Sequence, residues 1–266
     1  MKYLFFGTPE FAAIVLEKLI NSGFPPTGIV CNPDRPVGRK KIITPPPTKI
    51  IGEKNGIPAL QPEKLSDLKI GKIDFAIVVA YSKIIPKDIL ERFELGVLGV
   101  HPSLLPKYRG ATPIQSVILA GENETGVSLY LMDERVDHGP ILTQRELESP
   151  ISNLQYPILQ RKLAELAAVL LIELLPKFMK EKIKPEAQDE TKATYTKKFT
   201  TDDARVDLIK DDPILVERKI RALNPEPGTW TIQNGKRIKL LEAEVKDGKL
   251  KLKMIQVEGE KPKRIN

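Results

Sequence analysis

The chain has 266 residues, 41% of them hydrophobic and 29% charged, with a formal net charge of +7. It is long enough for one large domain or two ordinary ones, and its apolar share suits a soluble protein with a buried core. Cys31 is the only cysteine, which excludes an internal disulfide and suits a reducing, cytoplasmic home.

The opening apolar run is too short for a signal peptide or a membrane span. The longest apolar stretch, residues 163–178, carries Glu165, Glu173 and Lys177 and repeats at helical spacing, so it reads as a buried amphipathic helix. The positive charge points toward a polyanionic partner, and it equally suits an ordinary lysine-rich surface.

Taken in order, residues 3–6 form an apolar strand. A helix follows over 9–21, with Thr8 as N-cap and Pro9 at its first position. Residues 27–31 are the next strand. A proline-rich stretch then leads into a helix over 49–55, stopped by Gly56. The unbroken apolar run 75–80 is a strand covered on both faces. A helix begins at Pro86, and residues 96–100 form a further strand. This alternation predicts an α/β fold with a doubly wound, mostly parallel, Rossmann-like sheet over residues 1–184.

Residues 185–202 are polar, rich in lysine and threonine, and read as a linker. Beyond them lies a short helix over 213–223, then apolar runs over 228–233, 237–245 and 249–257. Asn234-Gly235 and Asp247-Gly248 separate these runs and are hairpin signals, so residues 203–266 form a small β domain. Trp230 belongs to its core. From Trp230 onward basic residues outnumber acidic ones about two to one, which fits weak phosphate binding.

Open parallel sheets bind ligands outside the carboxyl ends of their strands. The segments following Phe6, Cys31, Ala80 and Val100 are therefore the ones to inspect. The chain's two histidines are His101, at such a strand end, and His138. Asp137 lies in a second, glycine-containing turn. An Asp beside an imidazole raises its pKa and fixes its tautomer, and the pair can move a proton during acyl transfer. No G-x-G-x-x-G follows the first strand, which sets aside a dinucleotide-dependent dehydrogenase. No ligand cluster accompanies the histidines, so no metal is expected.

The run His101-Pro102-Ser103-Leu104-Leu105-Pro106-Lys107-Tyr108-Arg109-Gly110, followed by Val136-Asp137-His138-Gly139-Pro140-Ile141, resembles the folate-dependent formyltransferases. Phe6-Gly7-Thr8-Pro9-Glu10 and the stretch from Cys31 to Arg39 resemble that family's methionyl-tRNA branch. So do Gln188-Asp189-Glu190-Thr191 and Arg221-Ala222-Leu223-Asn224-Pro225. The first helix supports that branch independently. Pro9 has no N–H and Glu10 repels anions, so a nucleotide phosphate is disfavoured there.

The resemblance implies 10-formyltetrahydrofolate as co-substrate and initiator methionyl-tRNA as acceptor; separately, the chain is expected to act as a monomer. It places the folate against Tyr81, Ser82, Ile84 and Pro86, with Ser103, Leu104, Pro106 and Asp137 completing the lining. His101 and Asp137 become the catalytic pair. Arg35, Arg39, Lys40 and Lys41, set among prolines and Gly38 on the ligand side, become phosphate contacts for the tRNA acceptor end. The family's C-terminal domain is a larger, OB-like barrel, so a shortened version is expected here.

One departure stands out. The family has an asparagine two residues before the histidine, donating to the formyl oxygen, and this chain has Gly99. Losing one oxyanion donor typically costs roughly a hundredfold to a thousandfold in rate. The residues leave open an active-site variant made to trap substrates, a natural enzyme in which water or the Gly99 backbone fills the gap, an impaired member that binds folate or tRNA, and an N-formyltransferase acting on an amino-sugar nucleotide.

Overall fold

The computed structural model describes residues 2–38, 40–69 and 71–265. Arg39, expected at the phosphate-binding loop, lies outside them. In chain order the first elements are β1 (Tyr3–Gly7), α1 (Glu10–Asn21), β2 (Gly28–Val30), β3 (Arg35–Val37), β4 (Ile42–Thr44), α2 (Pro47–Lys54), β5 (Ala59–Leu60), β6 (Phe75–Val79), α3 (Lys87–Leu90) and β7 (Val97–His101). There follow β8 (Arg109–Gly110), α4 (Pro113–Ala120), β9 (Gly126–Leu131), β10 (Ile141–Glu146), α5 (Tyr156–Phe178), β11 (Tyr195–Thr196), α6 (Pro213–Leu223), β12 (Trp230–Gln233), β13 (Lys236–Lys246), β14 (Lys249–Val257) and β15 (Lys263–Arg264).

The chain forms two compact units, each assembled from separated segments. The first comprises residues up to Arg109, Gly126–Leu147 and Arg161–Thr194. The second comprises Gly110–Thr125, Glu148–Gln160 and the residues from Tyr195 onward.

The first unit is built on a seven-stranded sheet in the order β10-β9-β7-β6-β1-β2-β5. β1 pairs in parallel with both β2 and β6, β5 extends the sheet beyond β2, and β7 lies parallel to β6. β9 and β10 close the other side as antiparallel strands. The strand order reverses direction between β1 and β6, so the ligand crevice of this sheet lies at their carboxyl ends.

Every residue of β1, β6 and β7 is buried, as an apolar run covered on both faces requires. Phe6 is fully buried and meets Tyr81 and Phe93 edge-on, with ring centroids 5.5 and 6.3 Å away. Burying a side chain of that size stabilises the fold by about 1.5–3 kcal/mol. The contact also fixes Tyr81, the second residue after β6, against the strand core.

Helix α1 shows what the local rule missed. Its N-cap is Pro9, and no side chain caps it. The Thr8 hydroxyl instead accepts from the Asn32 N–H at 3.2 Å, tying the end of β1 to the end of β2. Part of the basic stretch after Cys31 is more regular than expected, since residues 35–37 and 42–44 pair as the antiparallel strands β3 and β4.

In the second unit, α6 starts at Asp212, whose carboxylate accepts from the N–H groups of Ile214 and Leu215. Its buried face packs with β13 and β14 through Val216, Ile220, Ile238, Leu240 and Ile255. The sheet is antiparallel in the order β12-β13-β14-β15. Both expected turns carry positive φ at their two central residues: Asn234 (52°) and Gly235 (74°), then Asp247 (53°) and Gly248 (71°). That is the geometry of a two-residue hairpin. Trp230, read from sequence as core, is only half-buried. Its indole N–H donates to the Thr201 carbonyl at 2.8 Å, and the Arg237 guanidinium lies 4.1 Å from its ring centroid.

Candidate active site

β7 and β9 pair so that Gly99 faces Tyr130 and His101 faces Ser128. Residues two apart on a strand share a face, so these four positions form one patch on the sheet, at the end of β7. His101 is the last residue of the strand and is 4% exposed.

The imidazole is held from two sides. Its Nε2 lies 2.8 Å from the Tyr108 carbonyl oxygen. A carbonyl only accepts, so Nε2 carries the hydrogen and Nδ1 is the basic nitrogen of the neutral ring. Nδ1 lies 3.5 Å from Asp137 Oδ2. The other carboxylate oxygen, Oδ1, accepts from the Tyr130 hydroxyl at 2.6 Å. Sequence reasoning paired His101 with Asp137, and the structure brings them together; it missed Tyr130.

The loop after His101 is braced from below. Ser128 Oγ donates to the Ser103 carbonyl at 2.6 Å and accepts from the Leu105 N–H at 3.0 Å. Gln144 Nε2 bridges Ser128 Oγ and the Leu105 carbonyl. Ser103 is fully buried and its hydroxyl donates to the Lys107 carbonyl, so its side chain shapes the loop. Leu104 and Pro106 are half-buried along the same loop. The loop returns Tyr108 in the left-handed region (φ 62°), which aims its carbonyl at His101.

Arg109 ties this loop to the Asp137 turn. Its guanidinium is fully buried and forms a two-pronged pair with Glu190, at 3.1 and 2.6 Å. It also donates twice to Gln188 Oε1. Gln188 then donates from Nε2 to the carbonyls of Asp137 and Gly139. The hydrogen bond from Arg109 holds the Glu190 carboxyl below its ordinary pKa. Asp137 has φ 48°, an uncommon conformation for a residue with a side chain, and such outliers persist where neighbours over-determine them. The segment read as a linker thus supplies two of the residues that brace the site.

His138 lies against the Glu190 carboxylate instead, its Nε2 3.6 Å from Oε1. Its Nδ1 meets Asp133 Oδ2 at 2.5 Å and its Nε2 meets Arg135 at 2.7 Å, in a half-exposed cluster.

At the ends of β6 and β2, the Tyr81 hydroxyl and Asn32 Oδ1 are buried without a hydrogen-bond partner, as places awaiting a polar ligand are. Burial, with the nearby Cys31 adding to it, pushes the Tyr81 phenol up to about 12. Burial likewise pushes the Cys31 thiol up to about 11, which makes it a core group and not a nucleophile. Ala80 turns the chain with φ 47°, and Ser82, Ile84 and Pro86 are exposed.

The β3–β4 hairpin is anchored at its base. Lys49 Nζ bonds the Asp34 carboxylate at 2.9 Å, and Gln61 donates to the same group. Arg35, Lys40 and Lys41 are exposed along it, beside Val37, Ile42 and Ile43, each more than half exposed. Among the described residues no cluster of potential metal ligands occurs and no helix is long and apolar enough to cross a membrane.

Comparison with known proteins gives the family. Residues 1–175 match the formyl transferase family, and residues 198–263 match the formyl transferase C-terminal domain. The chain belongs to the formyl transferase family. It is 41% identical to a methionyl-tRNA formyltransferase of Kosmotoga olearia, over 93% of this chain and 81% of that one. It is 39% identical to one of Chloroflexus aggregans, over 92% of this chain and 81% of that protein.

Solved structures share the fold at lower identity. A methionyl-tRNA formyltransferase from Clostridium thermocellum superposes with a TM-score of 0.61 at 18% identity, covering 97% of this chain and 98% of its own. An N-formyltransferase from Helicobacter canadensis, in complex with folinic acid and dTDP-3-aminofucose, gives 0.66 at 21% identity, covering 93% and 88%.

Proposed function

We propose that this formyl transferase moves a formyl group from 10-formyltetrahydrofolate to the α-amine of methionyl-tRNA, in the cytosol. The observation that carries the chemistry is the buried His101–Asp137 couple at the end of β7, with Nδ1 as the basic nitrogen. The relatives near 40% identity over most of their length support the acceptor.

The folate supplies an activated one-carbon acyl group. Tyr81 and Asn32 fit its polar ring system, because their buried oxygens lack partners at the crevice. Ser82, Ile84 and Pro86 on one side, and Leu104, Pro106 and the Asp137 turn on the other, complete the lining. As the acceptor amine attacks the formyl carbon it must lose a proton. His101 Nδ1 receives it, and Asp137 Oδ2, 3.5 Å away, stabilises the imidazolium that results. The imidazolium then returns the proton to the folate N10 as the formyl C–N10 bond breaks and tetrahydrofolate leaves. The Nε2–H bond to Tyr108 keeps the ring from rotating and from presenting its other nitrogen.

The β3–β4 hairpin is the proposed tRNA grip. Arg35, Arg39, Lys40 and Lys41 meet phosphates, and the exposed Val37, Ile42 and Ile43 suit the apolar faces of unpaired acceptor nucleotides. Changing Arg35, Lys40 and Lys41 together to alanine should raise KM for methionyl-tRNA strongly and leave KM for the folate unchanged. It should also flatten the salt dependence of tRNA binding, by up to about one unit of log–log slope per lost phosphate contact. Unchanged tRNA KM and salt slope in the triple variant would remove the hairpin from the binding surface.

A further inference from the structure

We propose that Tyr130 is the positioning residue that sets Asp137 against His101, and that Gly99 is the vacancy that lets the Tyr130 ring lie there. The proposal rests on the formyl-transfer reading for its kinetic consequences but not for its geometry.

Gly99 and Tyr130 are direct cross-strand partners. A Cβ added at Gly99 would overlap the Tyr130 ring carbons and lie 2.8 Å from its phenol oxygen. The backbone of Gly99 is outside the positive-φ region, so what opposes a side chain there is the Tyr130 ring, which would have to shift, and not the backbone conformation. The space is filled by a tyrosine whose hydroxyl reaches the catalytic carboxylate.

That hydroxyl has a defined role. Tyr130 is 3% exposed, and its oxygen lies 2.6 Å from Asp137 Oδ1. An ionised carboxylate only accepts, so the phenol donates. Burial first, then the adjacent Asp137 charge, raise the phenol well above its ordinary value. It therefore stays a donor at every pH at which the enzyme works. With Oδ1 engaged by Tyr130 and the Asp137 backbone carbonyl held by Gln188, the carboxylate is oriented so that Oδ2 faces Nδ1.

The phenol has one O–H, and Asp137 takes it. Tyr130 thus occupies the space that the family's asparagine side chain would need without donating to the formyl oxygen. It follows that installing asparagine at position 99 alone damages this enzyme, because the new side chain collides with Tyr130.

The test compares Tyr130→Phe, Gly99→Asn, Tyr130→Leu and the Gly99→Asn/Tyr130→Leu double variant with the parent. Tyr130→Phe keeps the ring and loses only the O–H. Its kcat should fall roughly tenfold to a hundredfold, the worth of one hydrogen bond to a charged group, with KM for both substrates nearly unchanged. Gly99→Asn should lose both melting temperature and activity. The double variant should melt higher than the Gly99→Asn single variant, since the collision is gone.

A substrate-free readout separates this proposal from the functional reading. Among the nitrogen resonances of the two histidines, those of His101 should move in Tyr130→Phe while those of His138 stay. Parent-level kcat in Tyr130→Phe, or a change confined to KM, would overturn the proposal. So would a stable, fully active Gly99→Asn protein. If the parent shows no formyl transfer, that reading fails by itself, and unmoved His101 resonances would then overturn the role of Tyr130 independently.

Discussion

His101→Asn should lower kcat by about a hundredfold to ten-thousandfold, the usual contribution of a positioned acid–base group, while leaving folate binding in place. Asparagine keeps a polar side chain at the end of β7, but its amide reaches only as far as Nδ1 does and it has no basic nitrogen to face Asp137. Asp137→Asn should produce a loss of similar size by a different route. The amide still accepts from Tyr130, yet it no longer offers a negative charge 3.5 Å from Nδ1. Because the two act on one proton transfer, the double variant should lose little more than the worse single one. Steady-state kcat and KM for the three variants check this. Losses that multiply in the double variant would mean the residues act separately.

Arg109→Leu should be the most destabilising single change near the site. The guanidinium is fully buried and makes hydrogen bonds to Gln188 and Glu190 on the returning 186–194 segment. Glu190 is 45% exposed in its side chain and regains water, so the cost is that of the lost hydrogen bonds to the buried guanidinium, about 1.5–3 kcal/mol. A loss of that size corresponds to a fall of roughly 3–12 °C in Tm for a chain of this size. Activity should fall as well, because Arg109 links the Tyr108 loop to the Asp137 turn through Gln188. Thermal melts and kcat on the same preparation test both parts. A Tm within a degree of the parent would show that the 186–194 segment is held by something other than Arg109.

Much of this was readable from local sequence. The buried strands β1, β6 and β7 announce themselves as unbroken apolar runs. The Asn234-Gly235 and Asp247-Gly248 turns need positive φ, which those residue types adopt readily. His101 and Asp137 stood out because one ends a strand and the other sits in a glycine-containing turn.

What escaped depends on contacts distant in sequence. β9 has the composition of a buried strand, but nothing local says that it runs antiparallel to β7 and puts Tyr130 opposite Gly99. Gln188 and Glu190 lie in a polar stretch without periodicity, and their task comes from contacts distant in sequence, first of all the buried Arg109, 79 and 81 residues away. Thr8 looks like a helix cap until Asn32, brought in by the β1–β2 pairing, claims its hydroxyl. The glycine at position 99 leaves both an active and an impaired enzyme open in the sequence, and its meaning becomes physical only through its cross-strand neighbour Tyr130.

The most direct test of the central claim is a comparison of acceptors. The parent protein is incubated with 10-formyltetrahydrofolate and either methionyl-tRNA or a dTDP-linked amino sugar, and the N-formylated product of each is measured. The expected product is formyl-methionyl-tRNA, lost in His101→Asn, with no formylated sugar. Formylation of the sugar nucleotide without formylation of methionyl-tRNA would contradict it, as would release of free formate with neither acceptor modified.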